Sequence, residues 1–358
     1  MTHRAACGPN PAATASKTST HRLHSIRFVP YVSERERQAS LVLVGYEMLR
    51  ERSDRRTLVF VGLYYASFVG LWVVDPPGPL FAAWLAVLCW QSWQCAIITH
   101  NTIHCPVFVK RWMNRLFQVV LTCAYGHPVS AYVPGHNLSH HMYTQQDRDV
   151  MRTTKVRYRW NLLNGLLFFP TVGWSIAKND KAFISRMKTE RPRWYRQLIL
   201  EAVVFVLVSG ALLLLDWQKF LLVWWLPHLA AAFGIISINY LQHDGCDADH
   251  PYNHSRNFVG RGFNWLVFNN GYHGVHHDDP GLHWSKLREV HERDVAPHIH
   301  PALDQPSIVL YMWRAFVWPG RRVRFDGGPV DPGPPMQDVS WVPEHGLPPQ
   351  VSLGAEGG

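Results

Sequence analysis

The chain has 358 residues, 35 of them Lys or Arg against 26 Asp or Glu, for a formal net charge of +9. Hydrophobic types make up 47% and charged types only 17%, where an ordinary soluble domain carries about 25% charged residues. That excludes a typical water-soluble globular protein; apolar blocks set between basic ones are the profile of a membrane protein with a substantial aqueous part.

In chain order, residues 1–30 lack the apolar core of a secretory signal and read as a disordered tail. Residues 31–56 are charged with scattered apolar positions and read as a helix on the cytoplasmic side. TLVFVGLYYASFVGLWVV (57–74) carries no charge and is long enough to cross a bilayer once at about 1.5 Å rise per residue. The turn DPPGP follows, and LFAAWLAVLCWQSWQCAII (80–98) returns and runs into His100. A second pair repeats the pattern: 198–215, the turn DWQK, then 220–241, which runs into His243. The two turns hold only Asp75, Asp216 and Lys219, whereas Lys and Arg are dense from Lys110 to Arg196 between the hairpins. The excess of basic charge assigns that segment and both termini to the cytoplasmic side.

Two further apolar stretches, 116–133 and 160–177, are interrupted by Gly126-His127-Pro128 and by Pro170, which break helical hydrogen bonding. They read as interfacial or re-entrant, with Trp160 and Trp174 at headgroup depth. Residues 326–358 are rich in Gly and Pro and read as a disordered tail. The expected architecture is therefore an all-α integral membrane domain, 31–325, with four transmembrane helices in two hairpins beneath a cytoplasmic His-rich cap.

Histidine is concentrated in four motifs. HNTIH places His100 and His104 four apart; HNLSHH holds His136, His140 and His141; NYLQH pairs Asn239 with His243; HGVHH holds His273, His276 and His277. Residues three or four apart share a helical face, so each motif is expected to aim its imidazoles at one point. Adjacent pairs such as His140 and His141 diverge by about 100° and suit two neighbouring ions better than one. If only the two hairpins cross, all four motifs lie on one membrane face. Were 116–133 also to cross, the second motif would lie about 30 Å from the first, far beyond metal–imidazole bonds of about 2 Å. Nine imidazoles exceed the four ligands of a structural zinc and point to two metals with four or five nitrogens each, of which iron is the choice for O₂ chemistry. Asn239, a weak ligand, would act through a bound water. Among Asp147, Asp149, Asp244, Asp247, Asp278 and Asp279, some should accept the distal N–H of a ligand imidazole.

The order HxxxH, HxxxHH, NxxxH, HxxHH, each after a span or between hairpins, resembles the membrane-bound fatty acid desaturase superfamily over roughly residues 57–300. The resemblance implies a di-iron centre held by the nine histidines, with Asn239 through water, and O₂-dependent attack on an unactivated C–H bond. It implies a hydrophobic acyl substrate, as acyl-lipid, acyl-CoA or acyl-carrier, drawn from membrane lipid, and the introduction of a C=C double bond. No HPGG motif of a fused cytochrome b5 segment occurs, so electrons are expected from a separate ferredoxin, rubredoxin or cytochrome b5 type donor.

The remaining histidines, His127, His250, His254, His283, His291, His298 and His300, read as partnered polar side chains rather than ligands, and His228, inside the fourth span, as a neutral packing residue. The cysteines form no CxxC and read as reduced thiols. Trp90, Trp93, Trp265 and Trp284 are candidates to line a substrate passage. The basic charge forms no nucleic-acid motif, and no nucleic-acid partner is expected. Two rival functions share part of the pattern: a hydroxylase or ketolase of a carotenoid, sterol or alkane on the same scaffold, and a non-catalytic membrane metal-binding or transport protein. The second requires a path of polar side chains deep in the spans.

Overall fold

A computed structural model describes residues 48–342. The expected tail at 1–30, the adjoining 31–47 and the last residues, 343–358, lie outside the described part.

Four helices are long and apolar enough to cross a membrane: α1 (Asp54–Val74), α2 (Gly78–His104), α5 (Pro192–Leu215) and α6 (Trp217–His243). Between the hairpins lie α3 (Arg111–Tyr125) and α4 (Asn161–Glu190), and the short α7 (His273–Asp278) follows α6. Of the helix expected over 31–56, residues 31–47 lie outside the described part; 48–53 are not helical, α1 begins at Asp54, and Leu49 pairs with Phe108 in an isolated bridge.

The spans are apolar around most of their circumference because lipid, rather than water, is the solvent they face. Val206 and Leu207 in α5 and Val69 and Val73 in α1 point outward, and Leu214 is 90% exposed. Their inward contacts are fewer and specific: Tyr64 and Leu71 of α1, Leu88 of α2 and Ala231 of α6 are fully buried. Close approach is visible at Gly234, where an added Cβ would come within 2.5 Å of the Trp93 ring. At the turns, Asp216 caps the start of α6 by accepting from the backbone of Gln218 and Lys219. Lys219 Nζ then reaches across to Asp75 at 3.0 Å and to the Trp72 carbonyl at 2.9 Å. The two turns therefore lie together at one end of the bundle, and the second helix of each hairpin carries its histidines away from it.

The interrupted stretches resolve differently. α3 stops at Gly126, whose φ of +89° favours glycine, and a five-residue helix resumes at Val129. Pro170, expected to break 160–177, instead sits inside one continuous 30-residue helix, α4. The lost hydrogen bond is outweighed by packing on both sides of it: Phe168 and Val172 are fully buried, and Phe169 meets Phe233 of α6 edge-on. Trp174 on the same helix, and Trp160 at its N-cap, are exposed.

The boundary expected at 325 also moves. Residues 326–342 have no helix, yet Trp341 is buried against Phe183, and Asp338 pairs with Arg152 and Lys155. Asp338 also accepts from Ser175 at 3.1 Å. The composition of this segment is that of a tail, but three polar partners and one large ring hold it down.

Candidate metal centre

The four motifs converge. One group contains His100, His104, His136, His141 and His276, the other His140, His243, His273 and His277, and within each group the ligand-capable atoms all lie within 4.8 Å of one another. The division into five and four nitrogens follows the expected count. The rule that each motif aims at one point does not hold, because the second and fourth motifs each serve both groups.

The backbone explains the split. Pro134–His140 is a π-helical turn, and the His141 N–H donates to the His136 carbonyl, a bond spanning five residues. In such a turn residues five apart, not four, share a face. His136 and His141 accordingly meet at Nε2–Nε2 3.0 Å, and His140 is turned into the other group. In α7, which is α-helical, His273 and His277 face one group while His276, one position earlier, meets His141 of the other at 3.1 Å.

The Nε2 atoms are spaced as ligands rather than as hydrogen-bond partners. His273–His243 is 2.8 Å and His243–His277 is 3.1 Å, close to the roughly 3.0 Å that separates adjacent octahedral positions at metal–nitrogen bonds of about 2.1 Å. Two Nε2 atoms, on His243 and His141, each have two such neighbours, more than a neutral imidazole nitrogen can serve with a single proton or lone pair. His104 Nε2 and His140 Nε2 are buried with no protein partner. Orphaned, converging nitrogens of this kind fit divalent metal.

Several outer nitrogens are anchored, whereas Nδ1 of His136, His141 and His273 is buried without a hydrogen-bond partner. His140 Nδ1 donates to Asp149 Oδ2 at 3.0 Å, and the same carboxylate accepts from the backbone of Gln145 at 2.8 Å and Met151 at 2.7 Å. His100 Nδ1 lies 3.2 Å from Asn101 Oδ1, and His243 Nδ1 lies 3.3 Å from the His254 carbonyl. Of the six aspartates beside the motifs, Asp149 meets a motif histidine; Asp278 instead pairs with His254, and Asp244 with Arg322. Asn239, one turn before His243, is buried and donates its amide to the Met151 carbonyl at 3.1 Å. Burial, then the neighbouring imidazoles, holds His136, His141, His273, His276 and His277 well below the ordinary histidine range, in the neutral form that binds metal.

Of the other histidines, His283, His291, His250 and His228 have hydrogen-bonded partners, while His127 lines a cavity that also reaches His136. His283 lies 3.3 Å from Asp54, which also accepts from Trp284 and Thr57, and His291 is 2.9 Å from Asp304. His250 Nδ1 accepts from the backbone of Tyr252 and Asn253. His228 lies within hydrogen-bond reach of Tyr64 and the Cys123 carbonyl.

A cavity of about 770 Å³ reaches His136, bounded by Tyr132 and Met151 and by one face of α4 from Phe169 to Lys188. None of Trp90, Trp93, Trp265 or Trp284 lines it. Trp93 packs on α6 and Trp284 is bonded to Asp54, so aromatic size marked packing sites here rather than the passage. The lining face of α4 was missed; its signal was the recurrence of Phe169, Gly173, Ile176 and Asp180 at intervals of three and four, hidden by treating Pro170 as a break.

Fold and site together define a four-span membrane protein with paired histidine clusters. A family model described as fatty acid desaturase matches residues 75–306, more than half of the chain, and the chain belongs to that family. No curated protein matches it.

Proposed function

We propose that this protein is an O₂-dependent di-iron oxidoreductase of the membrane that introduces a C=C double bond into a hydrophobic acyl chain. The observation that carries the reading is the adjoining pair of imidazole groups, five and four, beside a lipid-sized cavity that touches one of them at His136. At about 770 Å³ the cavity falls within the roughly 300–1,000 Å³ of small-molecule sites. The family generally acts on lipid substrates with an electron donor; a separate ferredoxin, rubredoxin or cytochrome b5 type protein would fill that role here.

Iron held by the nine histidines, with Asn239 through a water, would supply the oxidation of an unactivated C–H bond. The chain's own residues supply placement. Asp149 fixes the tautomer and aim of His140, and Asn101 and Asn270, both within reach of the His100 Nδ1, hold that ring. Phe169, Ile176 and Ile235 form apolar walls that exclude water, and the fit of the chain against them selects which carbon lies beside His136. The end of the bundle carrying the histidines is assigned to the cytoplasm, with both termini, on the basic charge between the hairpins.

A transport function is disfavoured by how the ionisable groups within the apolar runs are used. Glu201 accepts from Ser130 N, Ser130 Oγ and Gln197, and His228 is engaged by Tyr64 and Cys123. They are packed between helices and do not form a path.

The test is expression in a host with a matched electron donor, followed by mass spectrometry of its lipids and metal analysis of the purified protein. Iron, and products lighter by two hydrogens, are expected. Products heavier by one oxygen would replace desaturation with hydroxylation, and zinc without lipid change would overturn the reading altogether.

A further inference from the structure

The cavity beside His136 is walled mainly by apolar side chains, but one carboxyl group interrupts it. Along the lining face of α4, Phe169, Gly173 and Ile176 give way to Asp180, then Ile184, and finally Lys188. Asp180 is 7% exposed, and its Oδ1 has no hydrogen-bond partner. No ion pair joins it to a lysine or arginine among the described residues, although Lys181 and Lys188 lie on the same wall. Burial pushes its carboxyl up to about 7. The other acidic group buried near this region, Glu201, is by contrast bonded on both oxygens.

A buried polar group without a partner costs free energy and calls for an explanation. A plain hydrocarbon chain in this cavity would make that cost permanent, since it would cover Asp180 and offer nothing in return. A hydroxyl group would satisfy it. The lysines further along favour an anionic end there, and a carboxyl beside them disfavours an anion deeper in. Position supports a role near the reacting carbons. Asp180 is one turn, about 6 Å, from Ile176 along α4, and an added Cβ on Gly135, the neighbour of His136, would lie 3.4 Å from Ile176. Lys188 is eight residues beyond Asp180, about 12 Å further from the histidines along the same helix.

We infer that Asp180 is the hydrogen-bond partner of a hydroxyl group carried by the substrate. The cavity then selects a hydroxylated long-chain amphiphile, its anionic end toward Lys188 and its hydroxyl between that end and the carbon presented to His136. This inference rests on the lipid-oxidising reading above and narrows its substrate class.

The experiment is equilibrium binding to the purified, metal-loaded protein without reductant, using hexadecanoic acid and the series of its monohydroxylated isomers. At least one isomer is expected to bind about tenfold more tightly than the parent acid, equivalent to about 1.4 kcal/mol. In Asp180→Leu that preference should vanish while the parent acid binds at least as well as before. Asp180→Asn, which preserves size and a hydrogen-bonding oxygen, should retain part of the preference and controls for folding. Equal binding of all isomers and the parent acid by the unmodified protein would overturn the inference and leave Asp180 a hydrated wall residue. So would a preference that survives Asp180→Leu. Turnover is scored separately with reductant and O₂. A hydroxyl preference without any oxidised product would sink the functional reading alone, and efficient oxidation of the parent acid without preference would sink only the subsite.

Discussion

Replacing Asp149 with Asn tests whether the carboxylate that accepts from His140 governs the metal centre. Asp149 is fully buried and receives three donors: His140 Nδ1 at 3.0 Å and Gln145 N at 2.8 Å on Oδ2, and Met151 N at 2.7 Å on Oδ1. An asparagine of the same shape has one accepting oxygen. Whichever way its amide is turned, an NH₂ faces at least one buried N–H donor, and one such unsatisfied donor costs about 1–3 kcal/mol. If the amide oxygen stays on the His140 side, the Met151 N–H loses its acceptor; if it turns away, His140 loses the group that fixes its Nδ1 proton. The first arrangement unsettles the loop that carries position 149, and the second frees His140; loss of a fixed outer partner of this kind lowers metal affinity about 10- to 100-fold, or about 1.4–2.8 kcal/mol. The assay is chelator competition monitored by bound iron, with circular dichroism to show that the helices persist. A variant that folds and holds metal as tightly as the parent would refute the coupling of Asp149 to the site.

His104→Ala and His140→Ala remove nitrogens from different groups, so each should lower iron by about one of the two ions rather than abolish both; stoichiometry by atomic emission decides, and full occupancy in either would remove that residue from the ligand set. Gly126→Ala places a side chain at φ +89° and within 2.4 Å of the His228 ring. It should lower thermal stability by more than the roughly 1 kcal/mol of the backbone strain alone, and an unchanged melting temperature in detergent would contradict the close packing of α3 on α6. Asp338→Ala removes the partner of Arg152 and Lys155, but the carboxylate side chain is 43% exposed, so the loss should stay below about 1 kcal/mol and shrink in high salt; a large, salt-insensitive loss would refute the ion pair as the anchor of that segment. Asp180, raised from 3.8 to about 7, is protonated more readily folded than unfolded. Its contribution therefore favours the fold at low pH and is lost as pH rises between those values, so the stability difference between Asp180→Asn and the parent should grow in favour of Asn across that window. A flat difference would show that the carboxyl is solvated.

The spans and the four histidine motifs were legible because both are local signals. An uncharged run of bilayer length needs no tertiary information, and turns with one or two charges between such runs set their pairing. The membership of the two metal groups was not legible, because spacing was converted to direction with α-helical geometry. His136 and His140 look like a co-facial pair until the π turn between Pro134 and His140 rotates the frame by one residue. Pro170 misled for a related reason: its cost is local and readable, while the packing of Phe168 and Val172 that outweighs it comes from distant parts of the chain. The segment at 326–342 has the composition of a tail, and it is held in place by partners more than 140 positions away, chiefly through Asp338 and Trp341, with backbone contacts at Pro332, Gly333, Met336 and Val339.

The sequential pairs His140–His141 and His276–His277 have a mechanical consequence. Each pair straddles the boundary between the two groups on a single peptide link, so ions held by the two groups would be fastened to the same two short pieces of backbone. Neither group of imidazoles can shift without tugging on the other, and the spacing between the two groups is tied to covalent geometry as well as to the softer packing of the bundle around them.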